Sequence, residues 1–566
     1  MPETEPKIKN SAAPRKSAAG IVAAGIFSSR IMGLVRESTV AYFFGISAHT
    51  DVFQVAFRGP GLLQNLLGEG TLSAAFIPIY SRMLEEGRER EAGRFAGAVF
   101  GLLLATAAAL VLLGITLAPL LVSVLTPGFV DDAAKVAAGE LSVNRFDLTV
   151  RAVRIIFPMT GILVLSAWAL GVLNSHRRFF VPYVAPVLWN ASIIAALFVG
   201  GTILTGDPLQ TGASLSVDTL TQVLFAAFFG ALVGGFLQFG VQLPLVVRVM
   251  KGFRFSLSTR VEGVRAALKA FGPAVAGRGV YQLSAYLDIL FASWLAAGAL
   301  AALRPAQILY ILPVSLFGLS VAASELPELS RLREEEARSF LARLDGSMRQ
   351  TLFLTIPTMI GYLGLGFLLI GALFRRGAFD LADNWLVYVV LGGYSLGLVA
   401  TTISRLLQNG FWALRDTKTP AKIAVLRVVI SAAVAVPLMF VLDRFAVSET
   451  LAVASGDAPV FFGAAGLAVG ATAGAWIELW RLRVSLRQRL AQFGLPWRSM
   501  ASMSGVAGLA LVPAVLLWWL LQGLPTLVLG VIVVGVYGGT YLGLARIFKF
   551  TEMDAWTGRF LQRFKR

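Results

Sequence analysis

The sequence predicts an all-α integral membrane protein with about fourteen transmembrane helices, arranged as two six-helix lobes followed by two C-terminal helices. Three observations lead there. The 566 residues are 57% hydrophobic and 14% charged, with a mean hydropathy of +0.74, far outside the range of soluble globular chains. Apolar runs of about twenty residues or more recur along the chain, each long enough to cross a ~30 Å hydrocarbon core. The short segments between them alternate between rich and poor in Lys and Arg, as the positive-inside rule requires.

The segments follow in order. A polar tail, residues 1–16, is too long and polar for a signal-peptide n-region, and Arg30 interrupts the run after it, so that run is an uncleaved first span. The N-lobe, residues 17–250, holds spans over 17–45, 51–81, 92–125, 148–173, 181–204 and 220–247. A cytoplasmic linker, 251–267, leads to the C-lobe, 268–486, with spans over 268–295, 307–329, 352–373, 386–412, 421–442 and 461–480. Residues 487–548 supply two more, 501–521 and 527–547, and 549–566 form a second tail. Arg82, Arg88, Arg177, Lys251, Arg254, Arg415 and Arg481 fall on one side of this alternation, which puts both termini in the cytoplasm. An internal repeat supports the two lobes. Residues 78–86 (PIYSRMLEE) recur at 327–335 (PELSRLREE), and Arg177 precedes Pro182 as Arg415 precedes Pro420.

The net charge of +17 does not point to nucleic acid, because the positive residues cluster in short loops between apolar runs. With no cysteine there is no disulfide and no thiolate chemistry. His49 and His176 are too far apart in sequence to suggest a metal pair, and no cofactor or metal is expected. There is no HExxH, Walker loop or nucleophile elbow, so an enzyme is not indicated. Gly234-Gly235 reads as close helix packing, Arg375-Arg376-Gly377 as a solvated turn, and Trp518-Trp519 as an interfacial belt.

Six arginines, Arg30, Arg36, Arg58, Arg278, Arg405 and Arg427, fall inside predicted spans. A charge at the bilayer centre costs roughly 2.5–3.5 kcal/mol even on lenient scales, so such residues face a cavity or a partner. Guanidinium forks in a cavity suit a phosphate-bearing cargo. Arg30 and Glu37 are seven apart and share a helix face, as do Asp51 and Arg58. Gly59-Pro60-Gly61 should kink or unwind the second span. Arg278 and Asp288, ten apart, lie on different faces of the seventh. Arg30, Arg36, Arg58 and Arg278 are therefore the candidate substrate-binding residues, and Glu37, Asp51, Glu69, Asp288 and Arg427 the candidate gating or ion-pair residues. Packing salt bridges and snorkelling to an interface are the structural alternatives, strongest for Arg58 and Arg427.

The run from Ser29 to Tyr80 resembles the MurJ/MviN family, the proposed lipid II flippases of the multidrug/oligosaccharidyl-lipid/polysaccharide exporter superfamily. The matching pieces are Ser-Arg-x-x-Gly-x-x-Arg-acid at Ser29–Glu37, Phe44-Gly45, Thr50-Asp51, Val55-Ala56-Phe57-Arg58, and Glu69-Gly70 through Ala75-Phe76-Ile77-Pro78. Phe374–Phe379 and Phe411–Pro420 continue the match. The resemblance implies a V-shaped transporter of the bacterial inner membrane, working by alternating access and carrying polyprenyl-pyrophosphate-linked peptidoglycan precursor outward. The last two spans would form a groove for the lipid tail. Arg30 and Arg36 match cavity arginines thought to hold the pyrophosphate, and Asp51 matches a carboxylate. Expected partners are the lipid-linked glycan, anionic inner-leaflet lipids and cell-wall synthesis proteins. Two places depart from the pattern. Gln64 stands where an arginine is usual, and Gln307 and Tyr310 stand where an arginine early in span eight is followed one turn later by an acid. A flippase for another lipid-linked oligosaccharide, and a cation-coupled drug exporter, remain as alternatives. Some members are thought to bind sodium between spans seven and eleven. Span eleven here carries Arg427 and no acid, so Arg427 is expected to reach Asp288 directly or through one water.

Overall fold

The computed structural model describes residues 16–207, 209–210, 214–319, 337–454, 456, 459–490 and 493–553. Among these residues the chain is helical, with no strand beyond an isolated bridge between Ala446 and Phe461. Ten of the described helices are long and apolar enough to cross a membrane by length and composition.

The first predicted span is α1 (Lys16–Phe44). The second is two helices, α2 (Ala48–Leu67) and α3 (Glu69–Glu85). Their junction corrects the sequence reading, for the break falls at Gly68 (φ −81°, ψ −152°) and Gly59-Pro60-Gly61 stay helical. A helix can absorb the single N–H that Pro60 lacks. Gly59 serves close packing instead, since a Cβ there would stand 2.9 Å from Leu121. Helices α4 (Glu89–Thr116) and α5 (Ala118–Leu125) make the third span, and a short α6 (Asp132–Ala137) follows. Then come α7 (Arg145–Ser175), α8 (Phe180–Thr205), α9 (Val217–Gly240) and α10 (Leu243–Val249).

Residues 250–263 have no regular structure and lead to α11 (Val264–Ser293). The eighth span starts earlier than its sequence suggests. Helix α12 (Ala299–Pro313), continued by a π turn over Val314–Leu319, places Arg304 inside the bundle rather than in a loop. The remaining helices are α13 (Ala337–Phe374), α14 (Leu381–Ser395), α15 (Leu398–Ala413), α16 (Lys418–Leu442), the short α17 (Val447–Leu451), α18 (Gly463–Arg489), α19 (Trp497–Leu520) and α20 (Thr526–Ile547).

Successive spans alternate in direction, so the bundle has two ends. One carries the turns around Gly45, Gly298 and Asp380 and is named here the Asp51 end. The other carries Arg88, Arg177 and Arg415 and is the Arg88 end. Four of the helices that begin at the Asp51 end are side-chain capped: Ser47 accepts from the Thr50 amide, Asn144 from Asp147, Ser216 from Thr219, and Asp380 forms a capping box with Asp383.

At the Arg88 end, α7 and α15 terminate in the same way. Arg177 and Arg415 both take φ +57°. The Arg178 amide returns to the Leu173 carbonyl at 2.8 Å and the Asp416 amide to Phe411 at 2.9 Å, the bond pattern of a Schellman stop. This matches the sequence repeat ahead of Pro182 and Pro420. The second copy of the other repeat, 327–335, lies outside the described residues.

Buried apolar residues fall into four clusters. One joins the two halves of the chain at the Asp51 end: Ile46, Val55 and Phe129 pack with Leu295, Leu300, Leu303, Phe374 and Phe379. Toward the Arg88 end the core divides in two, one part around Phe76, Phe95 and Trp168 that takes in Val264 and Ala267 at the start of α11, the other around Phe353, Leu407 and Tyr541 with the last two helices. Glycine rows allow the tightest helix contacts. Gly234 brings α9 onto α8, where a Cβ would stand 2.9 Å from the Trp189 Cα, which bears out the packing reading.

Candidate functional site

The two halves meet at the Asp51 end through backbone amides held by carboxylates. Asp51, fully buried at the start of α2, accepts from the amides of Gly298 (2.7 Å) and Ala301 (2.8 Å) at the start of α12. Arg145 steadies it: its guanidinium reaches Asp51 at 3.3 Å, donates through Nε to Asp132 at 2.7 Å, and lies over the Phe129 ring at 4.1 Å. In the other direction Asp383, at the start of α14, accepts from the Ile46 amide at 3.0 Å, and the Ala378 amide donates to the Tyr42 carbonyl at 2.8 Å. Gly45 makes this approach possible. It takes φ +57°, and a Cβ there would stand 2.5 Å from the Ala378 carbonyl. Asp51, one of the expected gating or ion-pair residues, is thus paired with Arg145 and holds the start of α12. Asp51 lies in the first turn, where the free amides of another helix's N-terminus reach it.

One to two turns deeper, charges from both halves converge. Glu37 of α1 accepts from its neighbour Arg36 at 2.5 Å, from Gln54 of α2 at 3.0 Å, and from Arg304 of α12 at 3.5 Å. Arg36 lies over the Trp189 ring at 5.1 Å, and its Nε is buried with no partner. Arg304 also lines a small recess with Gln54, Arg58, Asp288 and Gln307. The Arg58 guanidinium has no hydrogen-bond or ion-pair partner among the described residues, while its carbonyl accepts from the Tyr286 hydroxyl at 2.9 Å. Sequence reasoning missed Arg304 because it lies before the span predicted to begin at 307, whereas α12 begins at Ala299. Arg304 stands one helical turn before Gln307 and brings a guanidinium of the second half to this recess.

A polar network continues into the second half. Gln307 donates to the Tyr394 hydroxyl at 3.2 Å, Tyr394 stacks on Tyr310 with centroids 5.3 Å apart, and the Tyr310 hydroxyl donates to Thr401 at 2.8 Å. Beyond it Arg427 donates to Glu478 of α18 at 2.7 Å, and Gln408 donates to the same carboxylate at 2.8 Å. The expected direct pairing of Arg427 with Asp288 is therefore corrected. Glu478, one helix away and buried, is the partner, and a sequence pattern gives no sign of such a contact.

The other candidates scatter. Arg30 is exposed on α1, six residues closer to the Arg88 end than Arg36, with no partner among the described residues. Arg278 lies in α11 and Glu69 in α3, but their side chains lie outside the described residues. His49 is inside α2 rather than in a loop and meets Thr221 at 3.0 Å. His176 closes α7 and meets the Tyr80 hydroxyl at 3.0 Å; at this end of the bundle burial pushes its imidazole below the usual histidine range. Arg375, Arg376 and Gly377 are exposed in a turn, as read.

The arrangement is a bundle closed at one end, with guanidinium groups of both halves drawn around a polar recess. Known proteins are similar to this chain in sequence and in fold. The profile of the family described as "Lipid II flippase MurJ" matches residues 40–538. A probable lipid II flippase MurJ of Rhizobium tropici is 34% identical over 438 residues, covering 76% of this chain and 77% of its own. The lipid II flippase MurJ of Burkholderia cenocepacia is 32% identical over 402 residues, covering 70% and 73%. Among solved structures, a lipid II flippase MurJ in an inward closed conformation superposes with a TM-score of 0.65 at 23% identity, covering 94% of this chain and 100% of that one. An inward-facing multidrug transporter of the same superfamily reaches 0.56 at 14% identity, covering 84% and 98%. These two likenesses establish the fold. The sequence matches establish more: this chain belongs to the MurJ family of lipid II flippases.

Proposed function

We propose that this protein flips lipid II, a polyprenyl-pyrophosphate-linked peptidoglycan precursor, from the inner to the outer leaflet by alternating access. The observation that carries the mechanism is the convergence of Arg36 and Arg304, from opposite halves of the chain, on Glu37. In the empty carrier Glu37 supplies the negative charge that two guanidinium groups need. A pyrophosphate entering the recess offers more oxygens in a matching fork geometry, takes Arg36 and Arg304 from Glu37, and meets the free Arg58. Arg30, exposed nearer the Arg88 end, is the first of these cations that cargo from that side would meet. The site is built for exchange, since binding and release each swap one anion for another.

The same reading places the two lobes at residues 17–250 and 268–486, with 251–267 as linker and 487–548 as a separate pair of helices. The matching turns at Arg177 and Arg415 support it. The Arg88 end, rich in Lys and Arg, faces the cytoplasm and anionic headgroups of the inner leaflet, with both termini on that side. The Asp51 end faces outward, and cell-wall synthesis proteins are the expected protein partners there. With the outer end latched and the core divided in two toward the inner end, the described conformation opens inward.

Proteoliposomes carrying labelled lipid II test the reading. Wild-type protein is expected to expose the label to an outside reagent, Arg304→Ala to lose at least about tenfold in rate, a loss of ~1.4 kcal/mol or more, and Arg304→Lys to recover part of it. Equal rates for wild type and Arg304→Ala would remove the anion-exchange mechanism. Gln64 and Gln307, where arginines are usual, favour including an O-antigen or exopolysaccharide lipid as a second cargo. Preference for that lipid would assign the protein to the other glycan.

A further inference from the structure

Residues 250–263 are the covalent link between the two halves, and their backbone is laid along α4. Gly93, Gly97 and Gly101 stand four apart, so they form one row on that helix. A Cβ on each would collide with the carbonyls of Lys251, Arg254 and Ser256 in turn. From Gly93 to Gly101 the contacts climb ~12 Å along the axis. The strap therefore passes Arg94, the last charged residue of α4, and runs beside a stretch, Phe95 to Thr116, that has none. Both ends are pinned by glycines in the left-handed region. Gly252 (φ +74°) rests on Arg90, and Gly263 (φ +83°) sits between Ile79, Met83 and Phe95.

The side chains divide by chemistry. Phe253 packs near Phe100 and Trp168, with centroids 6.0 and 6.3 Å away, while Phe255 and Leu257 are each 56% exposed. Arg248, Lys251, Arg254, Arg260, Arg265 and Lys269 are all exposed. The single acid between 248 and 269, Glu262, accepts from Arg88 at 2.6 Å, a donation that holds its carboxyl below the usual carboxylate range. Lys251 is taken by Glu89 at 2.8 Å. The other five cations have no acidic partner among the described residues.

We propose that this strap is a docking surface for anionic phospholipid. Headgroup phosphates bind Arg254, Arg260 and Arg265, and Phe255 and Leu257 enter the acyl boundary beside α4. Exposed aromatics next to unpaired cations suit that layer, where an apolar body and a charged tip are both satisfied. The strap's position between two membrane-spanning helices, and its climb past the last charge of α4, put it at the level of the leaflet. A cytosolic protein would have to reach it through the headgroups. Because the strap ties the two halves together, lipid bound there acts on the element that must flex when they move.

The inference rests on the proposed orientation but not on the cargo. Full-length protein in micelles is titrated with phosphatidylglycerol or phosphatidylcholine, and retained lipid is counted by native mass spectrometry. The triple variant Arg254→Gln/Arg260→Gln/Arg265→Gln is expected to retain at least about fivefold less phosphatidylglycerol with phosphatidylcholine unchanged, and the corresponding triple lysine variant to keep most of it, because a leaflet reads charge rather than fork geometry. All three arginines are exposed and unpaired, so folding is not at stake. Equal retention by wild type and the glutamine variant overturns the proposal. So does displacement of the lipid by soluble glycerophosphate at equal concentration, or binding that appears only with a cytosolic protein added. Sidedness is read separately. The chain has no cysteine, so Arg88→Cys reports which face of the membrane that end occupies.

Discussion

Arg36 depends on more than its carboxylate neighbour. Its guanidinium lies over Trp189, whose indole N–H donates to the Met159 sulfur at 3.2 Å, so the ring plane is fixed before cargo arrives. A desolvated cation–π contact is worth about 0.5–2 kcal/mol. Trp189→Leu should therefore weaken lipid II binding by roughly 3- to 30-fold with little effect on the saturated rate, and Trp189→Phe should retain most of the affinity. A fall in maximal rate at unchanged affinity would show that Trp189 acts only on the packing of α8. The sequence already marked Arg36 and Glu37, because a charged pair inside an apolar run has few other uses. It hid Arg304, which lies before the span predicted to begin at 307, whereas α12 begins at Ala299. It marked Asp51 as an ion-pair residue but gave no sign of Arg145 or the α12 amides as its partners, because those contacts come from distant parts of the chain.

Helices α16 and α18 form a pair that neither could make with another neighbour. Gly463, Gly466, Gly470 and Gly474 bring the backbones so close that a Cβ at Gly466 would stand 2.5 Å from the Met439 amide nitrogen. Near the Arg88 end of this pair the Arg427–Glu478 ion pair crosses the same interface. Breaking a buried pair by removing one partner leaves the other charge uncompensated and typically costs about 3–5 kcal/mol, whereas replacing both with apolar residues is often neutral. Arg427→Met should thus lower thermal stability sharply, and Arg427→Met with Glu478→Met should restore most of it. If both variants lose the same stability, the pair contributes nothing beyond packing. The existence and order of the long helices were legible from hydropathy. The break at Gly68 was not, because Gly59-Pro60-Gly61 carries the stronger local signal and the packing of α5 against Gly59 overrides it.

At the scale of the molecule the latch at the Asp51 end sets which way the carrier opens. The polar bonds joining the halves there run from two amides of α12 to Asp51, from the Ile46 amide to Asp383, from the Ala378 amide to Tyr42, from the Ser38 hydroxyl to the Leu373 carbonyl and from the Gly128 amide to Ser293. Hydrogen bonds to a charged group contribute about 1.5–3 kcal/mol each, while a carrier must keep its two states within a few kcal/mol to cycle. The latch therefore favours the state closed at this end, and bound cargo must offset it for the carrier to cycle. Asp51→Asn replaces one acceptor oxygen with a donor facing amides that also donate, and it leaves Arg145 with Asp132 alone. Asp383→Asn does the same at the Ile46 amide. The double variant should shift the equilibrium toward the outward state by roughly tenfold or more, since each lost ~1.4 kcal/mol is a factor of ten. Spin labels on cysteines placed at Asp207 and Arg444, exposed at the latched end on opposite halves, read the change directly. The distance distribution should gain a longer component in the double variant, and lipid II added from the inside should populate the same component in the wild type. If the distribution is unchanged in the double variant while the protein remains folded, the apolar cluster around Ile46, Leu300 and Phe379 holds the end closed, and the carboxylates only set its register.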